Sequence, residues 1–286
     1  MRTIQNILKG RPINVGSIKV RELLPNGEAM FDPFLVFHHG VAVIAPTEDP
    51  AQAGVGAHPH RGFSPVSFIY EGGVHHRDSR GNNSVVYAGG TQWTNAGMGL
   101  EHSERPPHDI QALGGVQELL QVWINTPAKY KMNQPEYFPL SKEDTPTIIT
   151  PDGLVTLRIP AGELDGVKGK IATFFPVTTI MGTLATSGTY TFNFPAHHNT
   201  LLYVLSGALT VNDDTVLEAQ QMALFNNIPG SFTIKANTNS KIFVGSGEPL
   251  NEPIAAHGPF VMNTQTEIME AFRDYRMGKM GVLIED

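Results

Sequence analysis

Two short runs hold the residues best suited to chemistry: His58-Pro59-His60-Arg61-Gly62-Phe63 and Gly97-Met98-Gly99-Leu100-Glu101-His102-Ser103-Glu104. Each places two metal-capable side chains two positions apart. Side chains in a β-strand alternate between faces, so residues i and i+2 point the same way with Cα atoms roughly 6–7 Å apart. Each pair can then reach one ion from one face. Two such pairs on neighbouring strands would supply three imidazoles and a carboxylate, a mixed nitrogen and oxygen set that suits borderline metals such as Fe, Mn, Cu, Ni or Zn. Spacing alone leaves a second reading open, in which His58, His60, His102 and Glu104 are ordinary half-buried polar residues.

The elements that would position these pairs read as strands. Between them lie Val66, Phe68 and Tyr70, a Gly72-Gly73 turn, the polar reversal Arg77-Asp78-Ser79-Arg80-Gly81-Asn82-Asn83, the strand Val85-Val86-Tyr87 and a Gly89-Gly90 turn. Such a chain folds back repeatedly and can bring residue 102 beside residue 60. Further on, Val116 to Ile124 reads as a long strand with Val116, Glu118, Leu120, Val122 and Ile124 on one face. There Glu118 interrupts an apolar stripe, which suits an edge or strand end better than a pocket. The adjacent pairs His38-His39, His75-His76 and His197-His198 face opposite sides of a strand, so neither member of a pair helps the other bind one ion. They read as structural or surface histidines.

At these residues the chain resembles the pirin family of the cupin superfamily. The matching runs are His58-Pro59-His60-Arg61-Gly62-Phe63, Glu71-Gly72-Gly73, His76-Arg77-Asp78-Ser79, Gly81-Asn82, Gln92-Trp93 and His102-Ser103-Glu104. The likeness continues through Pro127-Ala128-Lys129-Tyr130-Lys131-Met132 and Gly247-Glu248-Pro249-Leu250-Asn251-Glu252-Pro253 to Gly258-Pro259-Phe260-Val261-Met262-Asn263-Thr264. The resemblance implies an all-β bicupin, two cupin-type β-barrels with a short C-terminal helix, and one divalent metal per chain in the N-terminal barrel. Carried over by position, the ligands are His58, His60, His102 and Glu104. Iron as Fe(II) is the usual family metal, with Mn, Cu, Ni, Zn or Co as alternatives, and His76 falls close enough to the site to act from behind a ligand. Two functions are implied. One is a quercetin 2,3-dioxygenase-type oxygenase acting on a flavonol-like substrate and O₂, with Glu104 also taking the flavonol proton. The other is a non-enzymatic, metal- or redox-dependent regulator that binds a transcription factor or metabolic enzyme. Two departures stand out: Ser64 occupies a position where the family commonly has Glu, and Gly90 one where it often has Asp. Because a lone hydroxyl is no general base near neutral pH, the first departure implies a poor quercetinase with an intact metal site.

Composition narrows the classes further. The 286 residues carry a net charge of −7 and no basic block, which argues against direct nucleic-acid binding. With no Cys the chain has neither disulfides nor thiolate sites. No apolar segment reaches signal-peptide or membrane-spanning length, so the expectation is a cytoplasmic protein. By length and punctuation the chain divides into 1–130, a proline-rich linker at 131–150, and 151–286; the resemblance makes the first an N-terminal metal-binding cupin domain and the last a C-terminal cupin domain, without a metal site because its histidines are adjacent. The second half loosely repeats the first: alternating Thr189 to Phe194, His197-His198, the strand Leu201 to Leu205 and a Ser206-Gly207 turn sit about 138 residues further on. One helix is expected near 264–277, where Thr264 and Glu267 have capping-box spacing and Ile268, Ala271, Phe272 and Tyr275 form an apolar stripe.

Overall fold

The computed structural model describes residues 1–15, 18–25, 30–47, 49 and 52–285. Strands dominate them and build two compact units, one formed by Pro12–Glu22, Phe34–Glu143 and Leu250–Asp286, the other by Met1–Arg11, Leu23–Pro33 and Asp144–Pro249. Each pairs a seven-stranded sheet with a four-stranded one. In the first unit the larger sheet runs Glu136–Leu140, Thr91–Asn95, Phe63–Glu71, Gly115–Asn125, Phe34–Ile44, Ile18–Leu24, Arg11–Val15. Its smaller sheet runs Val55–His60, Leu100–Arg105, Gly73–Asp78, Asn83–Tyr87.

The second unit repeats this order strand for strand. Its larger sheet runs Ile4–Lys9, Gln221–Phe225, Asn199–Ser206, Ser240–Gly247, Val177–Leu184, Val155–Ala161, Thr147–Ile149, and its smaller sheet Thr189–Asn193, Ser231–Ala236, Ala208–Val211, Thr215–Glu218. The internal repeat seen in the sequence is therefore a repeat of topology, and the fold is the all-β bicupin.

The units differ from the division at 130 and 150 in ways that pairing explains. Ile4–Lys9 forms an antiparallel ladder with Gln221–Phe225, which places the chain's start in the unit made mostly of its second half. The segment 131–150 contributes strands to both units: Glu136–Leu140 pairs with Thr91–Asn95, and Thr147–Ile149 with Val155–Ala161. Pro139 is tolerated because its strand is at the sheet edge, where a missing N–H costs no ladder bond. The closing helix, Gln265–Arg276, belongs to the first unit. Its start carries the expected capping box, with the Thr264 hydroxyl accepting from the Glu267 backbone N–H at 3.2 Å while the Glu267 carboxylate accepts from the Thr264 N–H at 2.8 Å. Ile268 and Ala271 bury the apolar stripe against Ala255, Phe260 and Met262. Among the described residues, no helix is long and apolar enough to cross a membrane.

Candidate metal centre

His58 and His60 lie on Val55–His60, paired antiparallel with Leu100–Arg105 so that His102 stands opposite His58. On its other side Leu100–Arg105 pairs with Gly73–Asp78, setting Asp78 opposite His102 and His76 opposite Glu104. Period-two alternation puts all of these on one face. The chain leaves His60 through Arg61 and Gly62, where φ is +87° and an added Cβ would lie 2.0 Å from the Val261 carbonyl oxygen. Only glycine fits that approach. The buried Lys131 ammonium fixes the same turn, donating to the Gly62 carbonyl at 2.6 Å and to Asn125 Oδ1 at 2.8 Å.

Three imidazoles converge. His58 Nε2 is 3.1 Å from His60 Nε2 and 3.1 Å from His102 Nε2, and the ligand nitrogens of all three lie within 4.8 Å of one another. Their outer nitrogens are already committed. His58 Nδ1 donates to the Gly56 carbonyl at 2.8 Å and His60 Nδ1 to the Pro259 carbonyl at 3.2 Å. His76 Nε2 donates to Asp78 Oδ2 at 3.0 Å, which leaves His76 Nδ1 to accept from His102 Nδ1 at 3.4 Å. Carbonyls and carboxylates only accept, so each of the three rings carries its proton on Nδ1 and presents an Nε2 lone pair to the centre. Lone pairs this close repel unless a cation lies among them or one takes a proton. Protonation is disfavoured at two of them: burial, followed by the neighbouring His58, holds His60 well below its ordinary value, and burial with His58, His60 and His76 does the same to His102. The donor set thus fits a single bound metal. Asp78 keeps its charge at the end of the relay, since hydrogen bonds from His76 and Asn82 outweigh the cost of its burial and hold its carboxyl below the usual range.

The carboxylate of Glu104 stands apart from this cluster. Ser67 Oγ donates to its Oε1, and Gln121 Nε2 donates to its Oε2 at 2.7 Å. Both donors come from the facing seven-stranded sheet. The register of Leu100–Arg105 against Val55–His60 shifts between His102 and Glu104, so Glu104 stands opposite Val55. Its side chain lines, with His58 and His60, a cavity of about 500 Å³ whose other walls include Val15, Ile18, Val20, Val55, Val74, Leu119 and Trp123. Behind His60 stand Phe63 and Trp123, stacked on each other with ring centroids 4.3 Å apart. The centre therefore opens onto a mainly apolar space.

Strand parity decides the remaining expectations. On Gly115–Asn125 the cavity receives Gln117, Leu119, Gln121 and Trp123, while Glu118 faces the other way and meets His39 at 3.2 Å. Ser64 also faces away. It pairs across the sheet with Ile124, and its hydroxyl donates to Asn95 Oδ1 at 2.9 Å, whereas Pro65 and Ser67 pair with Trp123 and Gln121 on the cavity side. The emphasis on Ser64 as a missing base is thus misplaced for this chain, because a side chain there does not enter the cavity. Ser67, Gln121 and His38 do belong to the site and were missed. The signal for His38 was its adjacent pairing with His39, since one of two neighbours on a strand must face inward. In the second unit His197 and His198 occupy the turn before Asn199–Ser206, and the strands equivalent to the histidine-bearing ones carry Phe192, Phe232 and Ile234 in a filled apolar core. Among the described residues, the three histidines form the only such ligand group.

Comparison with known proteins agrees with this architecture. The family model described as Pirin matches residues 17–124, and the Pirin C-terminal cupin domain matches 180–281. A pirin-like protein of Caulobacter vibrioides is 33% identical over 293 residues, covering 98% of this chain and 99% of its own length. One from Solanum lycopersicum is 37% identical, covering 87% of this chain and 82% of its own length. The crystal structure of a quercetin 2,3-dioxygenase from Acinetobacter baumannii superposes with a TM-score of 0.93 at 36% identity, covering 99% of this chain and 100% of that one. With both barrels matched in order, and relatives aligned from end to end, the chain belongs to the pirin family.

Proposed function

We propose that this protein is a metal-dependent oxygenase of the quercetin 2,3-dioxygenase type. It would hold one divalent ion, Fe(II), through His58, His60 and His102, with Glu104 completing the set on turning from its Ser67 and Gln121 donors, and take a flavonol and O₂ as substrates. The observation that carries the reading is the convergence of three Nε2 lone pairs at the wall of a mainly apolar cavity of about 500 Å³. A space of this size suits one drug-sized aromatic molecule. The likeness to a solved quercetin 2,3-dioxygenase supports it.

When bound, the ion supplies Lewis-acid chemistry that favours an anionic oxygen ligand. The chain's own residues do the rest. Gly56, Pro259 and the His76-Asp78 relay hold the three imidazoles in the tautomer that leaves Nε2 free. Glu104, aimed into the cavity by Ser67 and Gln121, accepts the proton of the flavonol 3-hydroxyl. Trp123, packed edge-on to His60 with centroids 5.3 Å apart, excludes water from the reacting face. Anaerobic loading with Fe(II), followed by oxygen uptake and loss of flavonol absorbance with quercetin, tests the proposal. Turnover should appear in the wild type and vanish in His58→Ala. Full metal occupancy without oxygen uptake would refute the oxygenase reading and favour a metal-dependent regulator.

A further inference from the structure

His38 lies on the cavity wall away from the histidine cluster, and the proposed mechanism gives it no task. Its position follows from register. Ser67, Gln121 and His38 are successive cross-strand partners on Phe63–Glu71, Gly115–Asn125 and Phe34–Ile44, so they form one row across the sheet. Two strand spacings, about 10 Å, separate its ends. Ser67 and Gln121 grip Glu104 at the metal end, and His38 ends the row within an otherwise largely apolar wall.

The hydrogen-bonding capacity of His38 is half used. Its Nε2 stands 3.4 Å from Glu22 Oε1, and a carboxylate only accepts, so this nitrogen carries the proton. Nδ1 then presents a lone pair, and no described residue donates to it. Gln121 is engaged at both ends, its amide nitrogen donating to Glu104 and its oxygen lying 3.5 Å from Ser67 Oγ, while Gln117, whose nitrogen donates to the Gly73 carbonyl at 2.7 Å, stands four residues along the strand and outside this row. Burial lowers the His38 imidazole below its ordinary value against the opposing effect of Glu22, which keeps the ring a neutral acceptor. An acceptor at the far end of this row discriminates between ligands that can and cannot donate to it, because a hydroxyl left without a partner there loses its hydration for nothing.

We infer that His38, oriented by Glu22, is a specificity residue that accepts a hydrogen bond from a phenolic hydroxyl of the substrate, remote from the oxygens that face His58, His60 and Glu104. This rests on the flavonol reading and adds to it a preference among flavonols. The row's length is a span that a three-ring aromatic bridges.

Binding to the Fe(II)-loaded protein under anaerobic conditions tests the inference, with quercetin compared against 3-hydroxyflavone, which keeps the metal-facing oxygens and lacks every remote hydroxyl. His38→Leu should weaken quercetin about five- to twentyfold, the usual worth of one buried hydrogen bond, and shift 3-hydroxyflavone less than twofold. Retained 3-hydroxyflavone binding shows that the variant is folded. His38→Gln, which can still accept, should recover part of the loss. Equal shifts for the two ligands, or no shift for quercetin, would overturn the role of His38 and leave the oxygenase reading standing. Wild-type protein that holds its metal and binds neither flavonol would overturn both.

Discussion

Replacing His76 by Phe should weaken metal binding without touching a ligand. His76 lies flat on Tyr137, with ring centroids 3.9 Å apart and planes at 6°, so a phenyl ring keeps the stack. The substitution removes the acceptor for His102 Nδ1 and the donor to Asp78 Oδ2. Asp78 retains the Arg80 N–H at 2.9 Å, the Asn82 N–H at 3.0 Å and Asn82 Nδ2 at 2.8 Å, so the loss falls on His102, whose side chain is buried. An unpartnered buried N–H costs about 1–3 kcal/mol. The metal-free protein can escape that cost by moving the His102 proton to Nε2, where His58 Nε2 accepts it at 3.1 Å. The metal-bound protein cannot. This difference between the two states is what lowers affinity, and the expected loss is about 10–100-fold. Competition with a chelator of known affinity, using Zn(II) to avoid oxidation, measures it. His76→Gln, whose Oε1 can accept from His102, should regain most of the loss. Dissociation constants within twofold for wild type and His76→Phe would show that the relay does not set the tautomer of His102.

Four further outcomes follow from the same geometry. Elemental analysis should find one metal per chain, reduced to background in both His60→Ala and His102→Ala; metal that survives both places the site elsewhere. Gly62→Ala should cost at least ~1 kcal/mol in urea unfolding, from the positive φ alone, and more once the clash with Val261 is counted. Ser64→Glu should lower stability by burying a carboxylate beside Asn95, while leaving metal content unchanged and turnover no higher; a gain in turnover would contradict the face assigned to residue 64. For His198, burial and then His197, against the opposing pull of Glu248, depress the imidazole to about 4. Its folded value lies below the unfolded ~6.5, so its contribution is complete above pH 6.5 and is lost as pH falls from there toward 4. Unfolding midpoints at pH 7.5 and 5.0 should therefore differ more in the wild type than in His198→Gln.

What was legible in the sequence was what depends on local period. The His-x-His and His-x-Glu spacings carry their own geometry, because alternation alone fixes the shared face of His58 and His60, and the capping box at Thr264 is complete within four residues. What was hidden depends on distant partners. The Nδ1 acceptors of His58, His60 and His102 come from residues 56, 259 and 76, and nothing local announces Pro259. The tether on Glu104 comes from Ser67 and Gln121, residues unremarkable until register places them opposite each other. The absolute parity of a strand is equally hidden: alternation says that His38 and His39 part company, or that Ser64 and Pro65 do, without saying which one enters the barrel. Likewise, proline in 131–150 suggested a linker, and only sheet order shows Pro139 at an edge.

The two units share a topology and differ in their interiors. Their sheet orders are the same, so the fold by itself assigns a metal to neither or to both. In the second unit, Phe192 and Phe232 stand opposite each other on the strands equivalent to those carrying His60 and Leu100, and Phe225 stacks on Phe232 with centroids 4.1 Å apart. These rings fill the barrel with hydrocarbon that stabilises it through burial. Introducing three histidines there would desolvate imidazoles among phenyl rings that supply none of the carbonyl or carboxylate acceptors found at Gly56, Pro259 and Asp78. A metal centre on this fold therefore requires more than its ligands. The acceptors that fix their tautomers and an open interior must arrive with them, and among the described residues only the histidine-bearing unit combines the three.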